Sequence, residues 1–211
     1  MRMDHQLAER WIAPKSHVLD LGCGNGELLA HLQSKFGVTG YGLEIDPDKI
    51  NEAIANGLSI IEQDLNDGLS RFDDNSFDTV IMARALQAVI APDKLLLDML
   101  RVGREAVITF PNFAHWQNRL HLGLKGLMPV SEALPYEWYD TPNIHLCTFN
   151  DFEALCASHN IQILSRFAVS DSTRNPNPLM KTLIRQAPNL LADIAIYRVT
   201  RPSVDKDLNQ S

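Results

Sequence analysis

The chain has 211 residues, a formal charge of −7, 45% hydrophobic residues and 21% charged residues. That is ordinary globular composition, which excludes a disordered chain. The acidic balance repels phosphate backbones, so nucleic acid is excluded as a partner unless a local basic patch exists.

At roughly 100–200 residues per domain, the length favours one domain, placed at residues 1–201 with a polar, disordered tail at 202–211. Cys23, Cys147 and Cys156 are odd in number and lack metal-ligand spacing, so they read as reduced thiols of a cytoplasmic protein. The start of the chain, Met1 to Arg10, carries acidic residues and no apolar core of a signal peptide. No apolar run approaches the roughly 18–20 residues that span a bilayer. A cytoplasmic protein without a membrane partner is the expectation.

Short β-rich runs then alternate with helical patterns, the signature of a parallel sheet covered on both faces. The first strand is expected at 18–21, followed by glycines and a helix over 27–36. A second strand covers 39–44, and Asp46-Pro47 opens a helix with Asp at the N-cap and Pro at N1. Strands follow at 58–62 and 77–83, then a helix at 92–101 and a strand at 106–110. Residues 112–124 look helical, and 126–147 form a Pro- and aromatic-rich irregular segment. Thr148 and Asp151 make a capping box for a helix reaching about His159. Strands at 161–169 and 192–200 are separated by a long crossing loop carrying a short amphipathic helix. The sum is an α/β three-layer sandwich with a Rossmann-like, seven-stranded, mostly parallel sheet.

The informative stretch joins the first strand to the first glycines: Asp20, Leu21, Gly22, Cys23, Gly24, Asn25, Gly26, Glu27. Glycines here let the backbone take positive φ and let a ligand approach without Cβ interference. A dinucleotide fingerprint spaces its glycines G-x-G-x-x-G, so that a pyrophosphate meets the helix N-terminus. Here the spacing is G-x-G-x-G, flanked by Asp20 and Glu27. Two carboxylates oppose a pyrophosphate and suit a ligand with an ammonium and a sulfonium, as S-adenosylmethionine (SAM) or, for the ammonium, S-adenosylhomocysteine has. Glu44, followed by Ile45, stands 22 residues after Gly22, where a carboxylate can accept both ribose hydroxyls. Asp64, followed by Leu65, ends the third strand, where it can accept the adenine amine; a turn or cap role is the competing reading.

Together these residues resemble the class I SAM-dependent methyltransferase superfamily over residues 18–200. Further along, Leu86-Gln-Ala-Val, Phe110-Pro-Asn-Phe-Ala-His-Trp116 and the run from Leu134 to Cys147 resemble the MetW family of methionine biosynthesis proteins. That resemblance implies work alongside a homoserine O-acetyltransferase or O-succinyltransferase. Residues 82–87 read Met-Ala-Arg-Ala-Leu-Gln, not the Asn/Asp-Pro-Pro-Tyr/Phe element of amino-methylating enzymes. This excludes the usual nucleic-acid amine acceptor and leaves a small-molecule acceptor open. His115, Trp116, Tyr136, Trp138, Tyr139 and His145 are expected to overhang the sulfonium, as an acceptor pocket, a cofactor lid or a partner surface. His145 can also serve only to tie down the turn before Thr148. No catalytic residue and no metal ligand is assigned. Three activities stay open: a SAM-binding accessory protein, an active small-molecule methyltransferase, and an NAD-type oxidoreductase, which the glycine spacing disfavours.

Overall fold

A computed structural model describes residues 3–170 and 178–202. Its seven-stranded sheet has β1 (His17–Leu21), β2 (Thr39–Glu44), β3 (Ile60–Glu62), β4 (Phe77–Ala83), β5 (Gly103–Pro111), β6 (Gln162–Val169) and β7 (Ile194–Thr200). The spatial order is β3-β2-β1-β4-β5-β7-β6. β1 to β5 run parallel, and β7 enters antiparallel between β5 and β6. The order reverses between β1 and β4. Ligands bind outside the carboxyl ends of strands at such a switch point.

The central strands are near-continuous apolar runs because helices cover both faces. Leu19, Leu21, Val80, Met82, Ile108 and Phe110 are fully buried on one side of the chain's largest core cluster, and Val18, Ile81 and Val107 pack with Leu28 and Leu32 in another. Helix α2 (Glu27–Phe36) begins where expected. In α3 (Pro47–Ala55) the Asp46 side chain accepts from the Asp48 N–H at 3.0 Å, with Pro47 at the first turn. Helix α4 (Pro92–Val102) precedes β5, and α5 (Trp116–Lys125) follows it. The capping box at Thr148 and Asp151 opens α6 (Phe149–Ser158). The crossing connection carries α7 (Pro178–Gln186) and α8 (Pro188–Leu191).

β5 begins at Gly103 and not at 106, because Gly103 and Glu105 already pair with Phe77 and Thr79 of β4, and three further boundaries move for a tertiary reason. Leu58 does not join β3: its N–H closes the last turn of α3 onto Ala53, and its side chain seals Leu29 and Ala53. Residues 112–115 do not join α5, because the Asn112 amide donates to the carbonyls of Ala192 and Asn189 while its own oxygen caps Ala114. β7 starts at Ile194 and not at 192, since Asp193 is diverted: its N–H bonds Val169 and its carbonyl accepts from Asn112. The expected disordered tail lies, from residue 203 on, outside the described residues. Among the described residues, no helix is long and apolar enough to cross a membrane.

Sequence reasoning assigned no element before residue 17, yet α1 (Met3–Ala8) packs beside β7. Its Asp4 is fully buried and accepts from Arg84 Nε at 3.0 Å and from Thr109 Oγ1 at 3.3 Å. Arg84 follows β4 with φ of 62°, a left-handed conformation that a side chain this large seldom adopts. The ion pair therefore joins the amino terminus to the carboxyl ends of β4 and β5. Breaking a buried pair from one side leaves a stranded charge and typically costs about 3–5 kcal/mol. Arg84 keeps 24% of its side chain exposed, which places Asp4→Ala at the low end, about 3 kcal/mol. Chemical denaturation of the two proteins checks this value.

Candidate functional site

The glycine loop is fastened to the end of β2 by its own backbone. Gly22 and Cys23 both donate N–H groups to the Leu43 carbonyl, at 2.9 and 3.0 Å. Gly24 N–H donates to Glu44 Oε2 at 2.8 Å, and Glu44 Oε1 accepts from Ile45 at 2.9 Å and Asp46 at 3.1 Å. Gly22, Gly24 and Gly26 all have positive φ, as the loop reading requires. At Gly24 a Cβ would meet nothing within 4 Å, so its side-chain volume is open space in front of the loop. At Gly26 a Cβ would overlap Leu58, so this glycine is needed for packing α2 against α3.

Beside the loop lies a cavity of about 280 Å³ lined by Gly22, Glu44, Ile45, Gln63, Asp64, Leu65, Asn66, Ala85, Ala88 and Val89. It thus brings together the end of β2, the turn after β3 and the turn after β4. Of the residues named from the sequence, Gly22, Glu44, Ile45, Asp64 and Leu65 line it. Asp20, Cys23, Gly24, Asn25 and Gly26 do not. Asp20 is buried at the end of β1, and Asn25 is exposed with its side chain accepting from Glu27 N–H at 3.3 Å. Sequence reasoning missed Gln63, Asn66 and the Ala85–Val89 side. Gln63 sits inside the Glu62-Gln-Asp64-Leu65 run, and its neighbour position was the available signal.

Asp64 takes the cap role considered for it and also lines the cavity. Its Oδ1 caps the following turn, accepting from the Asn66 backbone at 2.8 Å and side chain at 2.9 Å, while Oδ2 stands outside that cap. Burial pushes the Cys23 thiol up to about 12, with the carboxylates of Asp20 and Glu44 adding to the shift. It stays protonated at neutral pH and is no nucleophile.

Trp116, Tyr136, Trp138 and Tyr139 are exposed and none lines the cavity. His145 ties the segment before Thr148 to the turn after β4: its N–H bonds the Gln87 carbonyl at 3.0 Å and its ring bonds the Ile90 carbonyl at 3.2 Å. His115 is buried, with Nδ1 3.3 Å from Asp193 Oδ1, and Asp193 Oδ2 accepts from Ser170 at 3.0 Å. Burial lowers the pKa of His115, outweighing the opposing pull of Asp193.

This switch-point cavity, with its glycine loop and acidic β2 terminus, is the architecture of the class I SAM-dependent methyltransferases. An S-adenosylmethionine-dependent methyltransferase from Mesorhizobium loti superposes with a TM-score of 0.65 at 16% identity, over 94% of this chain and 98% of that one. The [4+2]-cyclase SpnF shares the fold too, with a TM-score of 0.63 at 15% identity, over 94% of this chain and 80% of that one. The fold alone therefore does not fix the chemistry. The chain belongs to the methionine biosynthesis protein MetW family, whose model matches residues 2–199. It is also 37% identical to the bifunctional methionine biosynthesis protein MetXA/MetW of Rhodopirellula baltica, over 95% of this chain. The chain spans 33% of the length of that relative. It is thus a methyltransferase-like protein of methionine biosynthesis.

The lowered pKa of His115 has a sign that can be checked. The folded state prefers the neutral ring, so stability is full above the unfolded value of about 6.5 and falls as pH drops from there toward the folded value. His115→Asn keeps a neutral donor for Asp193 and should flatten that decline. Denaturation midpoints of both proteins between pH 5 and 7.5 test it.

Proposed function

We propose that this chain binds SAM in the cavity at the carboxyl ends of β1 and β2, and that it acts in the cytoplasm on a homoserine O-acyltransferase of methionine biosynthesis. The observation that carries the binding is that the carboxylates of Glu44 and Asp64 line one cavity, while the open side-chain space of Gly24, whose N–H bonds Glu44, lies next to that carboxylate. At about 280 Å³ the cavity is just under the usual range of roughly 300–1,000 Å³ for whole ligands, so it suits the nucleoside half. The amino-acid half would then lie over Gly24 toward Asp20. Carboxylates at these positions favour hydroxyls, an amine and an ammonium, and disfavour the pyrophosphate of NAD.

Glu44 has a second task. An ionised carboxylate offers about four acceptor sites, and three backbone N–H groups already occupy three of them. The remaining acceptor site is on Oε2, beside the Gly24 N–H, where a ribose hydroxyl can donate. The partner reading is supported by the MetW family match and by the name of the Rhodopirellula relative, in which MetXA and MetW share one chain. SAM is an end product downstream of homoserine activation, so a SAM-occupied subunit can report its level to that early enzyme. The net charge of −7 leaves nucleic acid outside this reading.

An active small-molecule methyltransferase is the second reading, favoured by one observation. His115 is buried just after β5 and oriented by Asp193, the arrangement of a general base. Methyl transfer from labelled SAM into metabolites of a cell extract, lost in His115→Asn, would establish it.

For the cofactor, Glu44→Ala should weaken SAM binding by about 2–3 kcal/mol, the value of losing charge-assisted hydrogen bonds. Glu44→Gln should recover part of the loss, because one oxygen can still accept. Gly24→Val should abolish binding by filling the open face and straining a φ of 60°. Calorimetry showing unchanged affinity in folded Glu44→Ala would remove Glu44 from the site.

A further inference from the structure

The described residues leave many large apolar side chains exposed, and more than half of them lie between Trp116 and Leu146. Leu124, Leu127, Trp138 and Tyr139 are 77%, 63%, 72% and 71% exposed. Within this stretch only Asn118, Pro129 and Leu134 are buried. A ten-residue helix such as α5 is marginal without an apolar face to bury. Scattered exposed apolar residues are ordinary, but a contiguous run of this kind marks an interaction surface.

The same stretch is latched to the cofactor cavity. The turn after β4, residues 84–91, stands between the two. Its Ala85, Ala88 and Val89 line the cavity beside Glu44 and Asp64. Its Leu86 and Gln87 face the other way, into a second cavity of about 210 Å³ shared with His145, Leu146 and Cys147. The Gln87 carbonyl accepts the N–H groups of Ile144 at 2.9 Å and His145 at 3.0 Å. Asn66, a cavity residue, accepts the Ile90 N–H at 2.8 Å, and the Ile90 carbonyl accepts from the His145 ring at 3.2 Å. One short turn is thus held by the cofactor cavity on one side and by the root of the exposed segment on the other.

We infer that residues 116–146 form the docking surface for the acyltransferase, and that the 84–91 turn couples cofactor occupancy to the affinity of that surface. The inference rests on the function proposed above and adds where the partner binds and how SAM controls it. The occupant is an apolar face of another enzyme for three reasons. The stretch holds a few charges of both signs, Arg119, Lys125, Glu132, Glu137 and Asp140, which suits neither an anionic membrane nor a nucleic acid. Its length matches the roughly 20–30 residues that one side of a stable protein interface supplies. Trp and Tyr, the residues enriched at interface centres, stand at its most exposed part. The fused relative supplies the partner's identity.

The experiment measures binding of the full chain to the purified homoserine O-acyltransferase of the same organism, with and without saturating SAM. The variants are Leu124→Asp, Leu124→Ser, Trp138→Asp and His145→Ala. Each surface variant should bind the acyltransferase at least about thirtyfold more weakly, as loss of a central anchor does. Their SAM affinity should stay as in the wild type, which also reports that they are folded. SAM should change wild-type partner affinity about fivefold or more, and the acyltransferase should change SAM affinity by the same factor. His145→Ala should shrink that factor toward one while SAM still binds.

Wild type that binds SAM but not the acyltransferase overturns the function proposed above, and this inference with it. Wild type that binds the partner, with surface variants equally tight, places the interface elsewhere and overturns this inference alone. A wild-type homodimer that Leu124→Asp splits, with no acyltransferase complex, assigns the surface to a second copy and also overturns it. An unchanged SAM factor in His145→Ala overturns the latch.

Discussion

The carboxylate of Glu44 is the interaction on which the site depends. It accepts the N–H groups of Gly24, Ile45 and Asp46, so it holds the loop after β1 to the end of β2 and shapes the turn that opens α3. It is 8% exposed, and what it shows faces the cavity. The group that organises the loop therefore also lines the cavity. One acceptor site of Glu44, on Oε2 beside the Gly24 amide, is left over from this work.

Most of the sheet was legible in the sequence because local signals and tertiary structure agree there. β2, β4 and α2 begin and end where their patterns say, and the capping devices at Asp46 and Thr148 form as written. Boundaries moved where a long-range contact outvoted a local preference. Leu58 has strand propensity but is drawn into sealing α3, and Asn112 looks like the start of a helix but is pinned by carbonyls some eighty residues away. Helix α1 was illegible for the same reason. It is six residues long, and what holds it is the pairing of Asp4 with Arg84, invisible to any periodicity.

The site was legible in part. The spacing of Gly22, Glu44 and Asp64 found the walls of the cavity that face β2 and β3. The wall from the turn after β4 is Ala85, Ala88 and Val89, small apolar residues whose chemistry announces nothing. The aromatics of residues 126–147 were expected over the sulfonium, and they lie outside the cavity on the surface. Sequence alone shows that such residues are unusual for a solvated loop; only the structure shows that they are exposed and do not line the cavity. His115 was one of several candidates, and burial against Asp193 is what singles it out.

The central claim is that the cavity beside Glu44 holds SAM. Titration calorimetry of the wild-type chain with SAM, S-adenosylhomocysteine and NAD tests it most directly. The account predicts one-to-one binding of SAM and of S-adenosylhomocysteine and no heat from NAD. Binding of NAD with none of SAM would contradict the reading of the glycine loop and its carboxylates.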